Sequence, residues 1–264
     1  MFVRRWKVQS GMQRRGTALL VHGLGEHSGR YGHVAHALNQ VGFDVWAHDH
    51  RGFGRSGGGR ARIPERETLI EDTRLVFGEL RKREGGPPPL LLGHSMGGAI
   101  AARAVTGGLV EPRALVLSSP GLRSYISPLM RAITRSLEFV LPNQAVPHGL
   151  PLHTISHDAA VLAESATDAL NHALITPRMT MFILEAGEAA IRDAGKLQVP
   201  ALIQAAGDDK LVDPSGAKDF TAAAPTGLCT LKLYPGLWHE IYNEREPDRS
   251  AVLEDLKAWL KGRL

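Results

Sequence analysis

The sequence predicts an α/β fold, a mostly parallel central sheet with helices on both faces, and three observations carry that expectation. Short apolar runs alternate through the first 120 residues with segments whose apolar positions recur near the helical period. Each run stops at Gly, Asp, His or Ser, residues that punctuate strands. The alternation itself points to parallel pairing, because each parallel crossover needs a long return, usually a helix. With 264 residues, 43% hydrophobic and 22% charged, the chain is large enough to bury a core without staples. Its one cysteine, Cys229, excludes an internal disulfide and reads as a buried small hydrophobe.

In chain order the expected strands are residues 18–21, 43–47, 90–92 and 114–117, then 201–205 and 228–234. Between the second and third, Leu69, Ile70, Val76, Phe77 and Leu80 form one apolar stripe, with Pro64 as its start signal. A closing helix carries Val252, Leu256, Trp259 and Leu260 on one side. The interval from 118 to 200 is far longer than a crossover needs. It holds three helical patterns. The first, 128–141, spaces Leu129, Ile133, Leu137 and Leu141 four apart, with Arg131, Arg135 and Glu138 off that line. The second runs from Ser156 as N-cap through Asp158 to about 173, and the third from Pro177 through Phe182 to 194. Helices inserted between two sheet strands read as a cap over the strands' C-terminal edge, where open α/β sheets bind ligands. The expected division is a core of residues 1–120 and 199–264 and a helical cap of 121–198. The leucine stripe is expected to pack onto the core, the alternative being transient contact with a membrane or micelle.

Lys and Arg number 31 against 27 Asp and Glu, a net +4. Arg4, Arg5, Lys7, Arg14 and Arg15 concentrate the excess in the first fifteen residues. No nucleic-acid motif accompanies them, so the arm reads as solvated surface and no nucleic-acid partner is expected. No run approaches the roughly 18 apolar residues of a membrane span, and no apolar stretch follows the basic N-terminus as in a secretory leader. The expected setting is cytoplasmic.

The strongest local signal is Gly93-His94-Ser95-Met96-Gly97, a G-x-S-x-G between the run Leu90-Leu91-Leu92 and a small-residue helical pattern. A serine on so sharp a turn projects its oxygen above the sheet. Gly93 and Gly97 are small where strand and helix cross, and the helix N-terminus points N–H groups at an anion forming there. Such a serine needs a base, and the base an orienting carboxylate. His239 is the only histidine after His172 and follows the last strand. The acid belongs after 201–205, where Asp208, Asp209 and Asp213 compete.

These motifs, with His22-Gly23-Leu24-Gly25-Glu26-His27-Ser28-Gly29-Arg30-Tyr31 and Asp49-His50-Arg51-Gly52-Phe53-Gly54-Arg55-Ser56, make the sequence resemble the monoacylglycerol lipase and lysophospholipase group of the α/β-hydrolase superfamily. The resemblance implies the α/β-hydrolase fold with a cap, and a triad of Ser95, Asp209 and His239. Asp209 is selected as the first aspartate of the group's Asp-x-x-Val-Asp pattern, with Asp213 structural. It implies oxyanion donors on the backbone of Leu24 and Met96, and a polar end shaped by Glu26, Arg30 and His94. The competing reading of Glu26 and His27 is that they brace the loop. It further implies that the usual N-terminal antiparallel hairpin is short or incomplete here.

The expected reaction is two-step hydrolysis of a lipid ester, most naturally a monoacylglycerol, with no metal or cofactor. A cap rich in Leu, Ile, Met and Phe suits an acyl chain, each buried methylene being worth about 0.8 kcal/mol. The alternatives are a broad carboxylesterase, a lysophospholipase, a thioesterase, a peptidase removing N-terminal residues, or a non-catalytic binding protein; oligomeric state is not legible. Gly52-Phe53-Gly54-Arg55-Ser56-Gly57 satisfies a dinucleotide fingerprint, but loop rather than helix follows it, so it reads as a structural turn. His48-Asp49-His50 and the pair His33 and His36 lack further ligands at metal spacing and read as structural or exposed.

Overall fold

The computed structural model describes residues 1–264. Strand β1 (Val3–Trp6) is followed by β2 (Gly16–Val21), helix α1 (Gly32–Gln40), β3 (Phe43–His48) and α2 (Thr68–Glu84). Then come β4 (Leu90–His94), α3 (Met96–Thr106), β5 (Leu115–Ser118) and α4 (Pro128–Val140). A two-residue ribbon, β6 (Val146–Pro147) with β7 (Leu174–Ile175), brackets α5 (Ala159–Thr167). The chain ends with α6 (Pro177–Arg192), β8 (Ala201–Ala206), α7 (Ser215–Ala223), β9 (Cys229–Tyr234) and α8 (Asp248–Arg263). Seven strands form one sheet in the order β1-β3-β2-β4-β5-β8-β9, antiparallel only between β1 and β3. All six expected parallel strands are present.

The strands feed two cores by alternation. Leu19 and Val21 of β2, Leu91 of β4 and Ile203 of β8 face α2, α3, α6 and α7, while Ala18 and Leu20, Leu90 and Leu92, and Leu202 face α1 and α8. Both faces being covered, the strands read as continuous apolar runs. The parallel direction sends the loops after β2, β4, β5, β8 and β9 to one edge of the sheet.

Five expectations need correction. The stripe of α4 does not pack inward: Leu129 is 70% exposed, and Ile133, Leu137 and Leu141 are exposed too. The helix turns its charges down instead, Arg131 to Glu188, Arg135 to Glu185 and Glu138 to Arg66. The third pattern, placed in the cap, is α6, whose Met179, Phe182, Ala186 and Ala190 lie in the main core beside α3. In the second, the side chain that caps α5 is Asp158, which accepts the Ala160 N–H, and the helix stops at Thr167. The basic arm is only partly solvated: Arg5 and Arg14 pair with Asp44 and Glu84, and β1 adds to the sheet edge as the one antiparallel strand. Cys229 is half-buried rather than buried, its Sγ 3.8 Å from Thr221 Oγ1.

Candidate active site

Ser95 stands between β4 and α3 at φ 53°, ψ −120°, a backbone conformation that costs a non-glycine residue about 1–3 kcal/mol. The surroundings hold it there. Its N–H donates to Ser118 O at 3.0 Å, and its carbonyl accepts from Ala99 and Gly121. A Cβ on Gly97 would run into the carbonyls of Val21 and His22, so α3 can reach this close to β2 only with glycine there. Met96, the first residue of α3, has an N–H that no intrahelical carbonyl can take. Across from it, Gly23 separates Ser95 from Glu26: a Cβ there would lie 3.1 Å from Ser95 Cβ and 2.8 Å from Glu26 Oε1. Leu24 follows directly, half-buried against the main core.

His239 and Asp209 arrive from the loops after β9 and β8. His239 Nδ1 lies 2.7 Å from Asp209 Oδ2, and both side chains are almost wholly buried. The other Asp209 oxygen accepts the N–H groups of Leu211 and Val212, which locks its orientation. Asp208 points outward, exposed, and Asp213 accepts the Ser215 N–H at the start of α7. Of the three competing aspartates only Asp209 meets the imidazole. Burial by itself would lower the pKa of His239. The Asp209 carboxylate in contact with it, helped by Glu240 and Glu26, outweighs that and raises it above the usual 6.5. Asp209 stays low, burial being overcome by His239 and the two backbone N–H groups. The bond to Asp209 occupies His239 Nδ1 and leaves Nε2 as the ring's other nitrogen.

A buried polar shell surrounds this group. Glu26 accepts from the Gly23 N–H at 2.6 Å, the Tyr31 hydroxyl, and Arg30 at 3.0 Å. Arg30 also forks onto Glu240 at 2.7 and 2.8 Å. His94 packs its ring against His239, centroids 4.9 Å apart, with Nδ1 on Ser118 Oγ; burial, then His239, push its pKa down to about 4. It is therefore a neutral ring behind the base. The sequence reading missed two ties to the segment after α5: His27 Nε2 donates to Asp168 at 2.7 Å, and the His172 N–H to Gly25 O at 3.0 Å. No periodicity announces a pair 141 residues apart.

Two cavities flank the site. One of about 290 Å³ is walled by Leu24, Glu26, Arg30, Asp168, His172 and Glu240. Another of about 300 Å³ lies between Gly121, Leu122, Ile126, Ile183 and Val212, under the start of α4. The glycine-rich turn 52–57 carries no ligand-facing helix; Asp49 ties it down, accepting the Arg55 N–H while also accepting from Ser28. His48 and His50 are wholly buried beneath it.

Residues 12–246 match the family described as Serine aminopeptidase, S33. A monoacylglycerol lipase of Mycolicibacterium smegmatis is 32% identical over 253 residues, 95% of this chain and 89% of its own length. The monoglyceride lipase of Rattus norvegicus is 30% identical over 276 residues, covering 100% of this chain and 88% of its own. Among solved structures, a monoacylglycerol lipase of Paleococcus ferrophilus superposes with a TM-score of 0.89 at 29% identity, over the full length of both chains. The sheet order, the strained serine turn and these likenesses agree: the chain has the α/β-hydrolase fold and belongs to the Serine aminopeptidase, S33 family.

Proposed function

We propose that the protein is a serine hydrolase that cleaves lipid esters, monoacylglycerols foremost, through an acyl-enzyme on Ser95. The observation that carries this reading is the buried Asp209–His239 bond on the same sheet edge as the Ser95 turn. Ser95 Oγ attacks the ester carbonyl as His239 Nε2 takes its proton. Asp209 keeps the proton on Nδ1 and stabilises the imidazolium, and the N–H groups of Leu24 and Met96 hold the oxyanion. His239 returns the proton to the glycerol oxygen as the carbon–oxygen bond breaks. Water then attacks the acyl-enzyme, giving its proton to His239, and the fatty acid leaves as Ser95 is reprotonated. Residues 121–176, outside the core helices, serve as the cap, and the single cysteine supports a cytoplasmic setting.

The charge of the cavity beside Leu24 supports an uncharged alcohol. Every hydrogen bond to Glu26 comes from a donor and Asp168 accepts the His27 N–H, so with Glu240 three carboxylates face one guanidinium, Arg30. Burial keeps His148 and His172 below their usual pKa and so adds no cation. Turnover of 1-monoacylglycerols from C8 to C18 is expected to exceed that of p-nitrophenyl butyrate, an acyl-thioester and an aminoacyl anilide. Lysophosphatidic acid of matched chain length is expected to be at least about tenfold poorer, like charges being costly when brought together. Cleavage of the butyrate alone would leave a general esterase, preference for the anilide an aminopeptidase, and equal use of the phosphate ester would sink the charge argument.

The outer face of α4 supports lipid contact as well. Leu129, Met130, Ile133, Phe139 and Val140 are exposed together, and burying one such side chain is worth about 1.5–3 kcal/mol. Phe139→Ser with Val140→Ser is expected to reduce sedimentation with phosphatidylcholine vesicles while hydrolysis of a water-soluble ester is unchanged. Undiminished sedimentation would end this part of the reading.

A further inference from the structure

The loop that carries His239 is held from the cap side by a carboxylate with no place in the chemistry above. Glu244 is wholly buried, five residues past the base. Its Oε1 accepts the Trp238 N–H at 2.8 Å and His157 Nδ1–H at 2.9 Å; its Oε2 accepts the His157 N–H at 2.9 Å. The Trp238 ring stacks on His157, centroids 3.8 Å apart and 29° from parallel. Two further bonds join the same partners: the Glu240 N–H donates to Ile155 O at 2.8 Å, and Ser156 Oγ donates to Asn243 O at 2.7 Å. The N–H groups on both sides of His239, those of Trp238 and Glu240, are thus held by this clamp. No bond of the clamp touches the imidazole itself. The clamp holds the backbone from which the ring hangs, while Asp209 holds the ring.

We propose that Glu244 is a positioning residue for the catalytic base, locking the His239 backbone to the segment that leads into the cap so that Nε2 meets Ser95 in line. The proposal rests on the triad reading but not on the lipid assignment. A carboxylate suits the task because all three of its partners are N–H donors, and an amide in its place must turn an NH₂ toward one of them. Loss of that bond frees the loop without removing any group that contacts substrate. Misplacement of a reacting group by about 1 Å costs on the order of 100-fold in rate.

The test is Glu244→Gln, assayed by p-nitrophenyl butyrate turnover and by the rate of Ser95 labelling with a fluorophosphonate, which needs the triad but no lipid. Per folded molecule, kcat and the labelling rate are expected to fall about 10- to 100-fold together, with KM nearly unchanged. The wild-type kcat/KM profile rises with pH through an apparent pKa above 6.5, since Asp209 holds His239 up and the base must be neutral. In Glu244→Gln that midpoint falls toward 6.5 as the ring loosens from Asp209. His157→Ala, at a half-buried position, removes one donor and the stack and provides the same readout should the Gln variant fail to fold. His157→Asn, which keeps a donor near Nδ1, is expected to recover most of the loss. A lowered melting temperature with unaltered kcat, labelling rate and pH midpoint in these variants would show a merely structural role and overturn the proposal.

Discussion

Replacing Ser95 with alanine is expected to lower kcat on a monoacylglycerol by about a millionfold, and adding His239→Ala should cost little more. In the proposed mechanism the nucleophile and its base act as one unit, so removal of either ends the covalent route. What survives is the part of the site that side-chain substitution does not reach. The N–H groups of Leu24 and Met96 belong to the backbone, and the Ser95 turn is held by its bonds to Ser118, Ala99 and Gly121. Such a remnant leaves about 10³–10⁴-fold acceleration over water. The serine also carries a stability signature. At φ 53° a glycine is unstrained, so Ser95→Gly should be as inactive as Ser95→Ala yet melt at a higher temperature. Kinetics and thermal melts on the two variants check both halves. Activity within a hundredfold of wild type in Ser95→Ala would mean that another group is the nucleophile.

The sequence was most informative where physics is local. Runs such as Leu90-Leu91-Leu92 are buried on both faces, and a strand that must be apolar throughout is legible without its neighbours. The Ser95 turn is legible for the same reason, since the crossing of β4, β2 and α3 demands glycine at 97. Asp208 and Asp209 were a different problem. Adjacent residues point to opposite sides of a loop, and which side meets His239 depends on a strand twenty residues further on. Helix α4 shows the limit of periodicity. The spacing identifies which side chains share a face but not which way that face turns. Its charged face found Arg66, Glu185 and Glu188, the first and last more than a hundred residues apart, and so the leucines were left outside. Helix α6 has the apolar period of any core helix, and only its contact with α3 assigns it to the core. The Arg30–Glu240 and His27–Asp168 pairs are long-range for the same reason, 210 and 141 residues apart.

Stability is expected to collapse as pH falls from 6.5 toward 4, faster than carboxylate titration explains. His22, His48 and His50 are packed together wholly buried, with ring centroids 4.3 Å apart for His22 and His50 and 4.9 Å for His48 and His50. His22 donates from Nδ1 to Gly23 O and accepts the His50 N–H at Nε2, so the neutral tautomer fills both its sites. His50 gives one ring nitrogen to His22 O and leaves the other without a partner; neither nitrogen of His48 has one. Burial pushes His22 down to about 3 and holds the other two well below 6.5, the positive charge of each neighbour adding to the penalty. In the unfolded chain all three protonate near 6.5. Below that pH the unfolded state therefore binds up to three more protons, and folding loses about 1.4 kcal/mol per pH unit for each, about 4 in all. Against a total stability of about 5–15 kcal/mol this is exhausted within a few pH units. The raised pKa of His239 acts oppositely but only above 6.5, where its stabilising proton is lost as pH rises; below 6.5 it is charged in both states and contributes no slope. Carboxylates enter only nearer pH 4, so the interval from 6.5 to 4.5 isolates the histidines. His48→Leu, which removes one uptake site without breaking a hydrogen bond, should lower that slope by about 1.4 kcal/mol per pH unit, a quarter of the whole or less because His94, held down to about 4, takes up a proton over the same interval, and move the acid midpoint lower. Urea unfolding at half-unit steps measures it, and a slope no different from wild type in His48→Leu would show that the charge on this buried cluster is not what acid unfolding opposes.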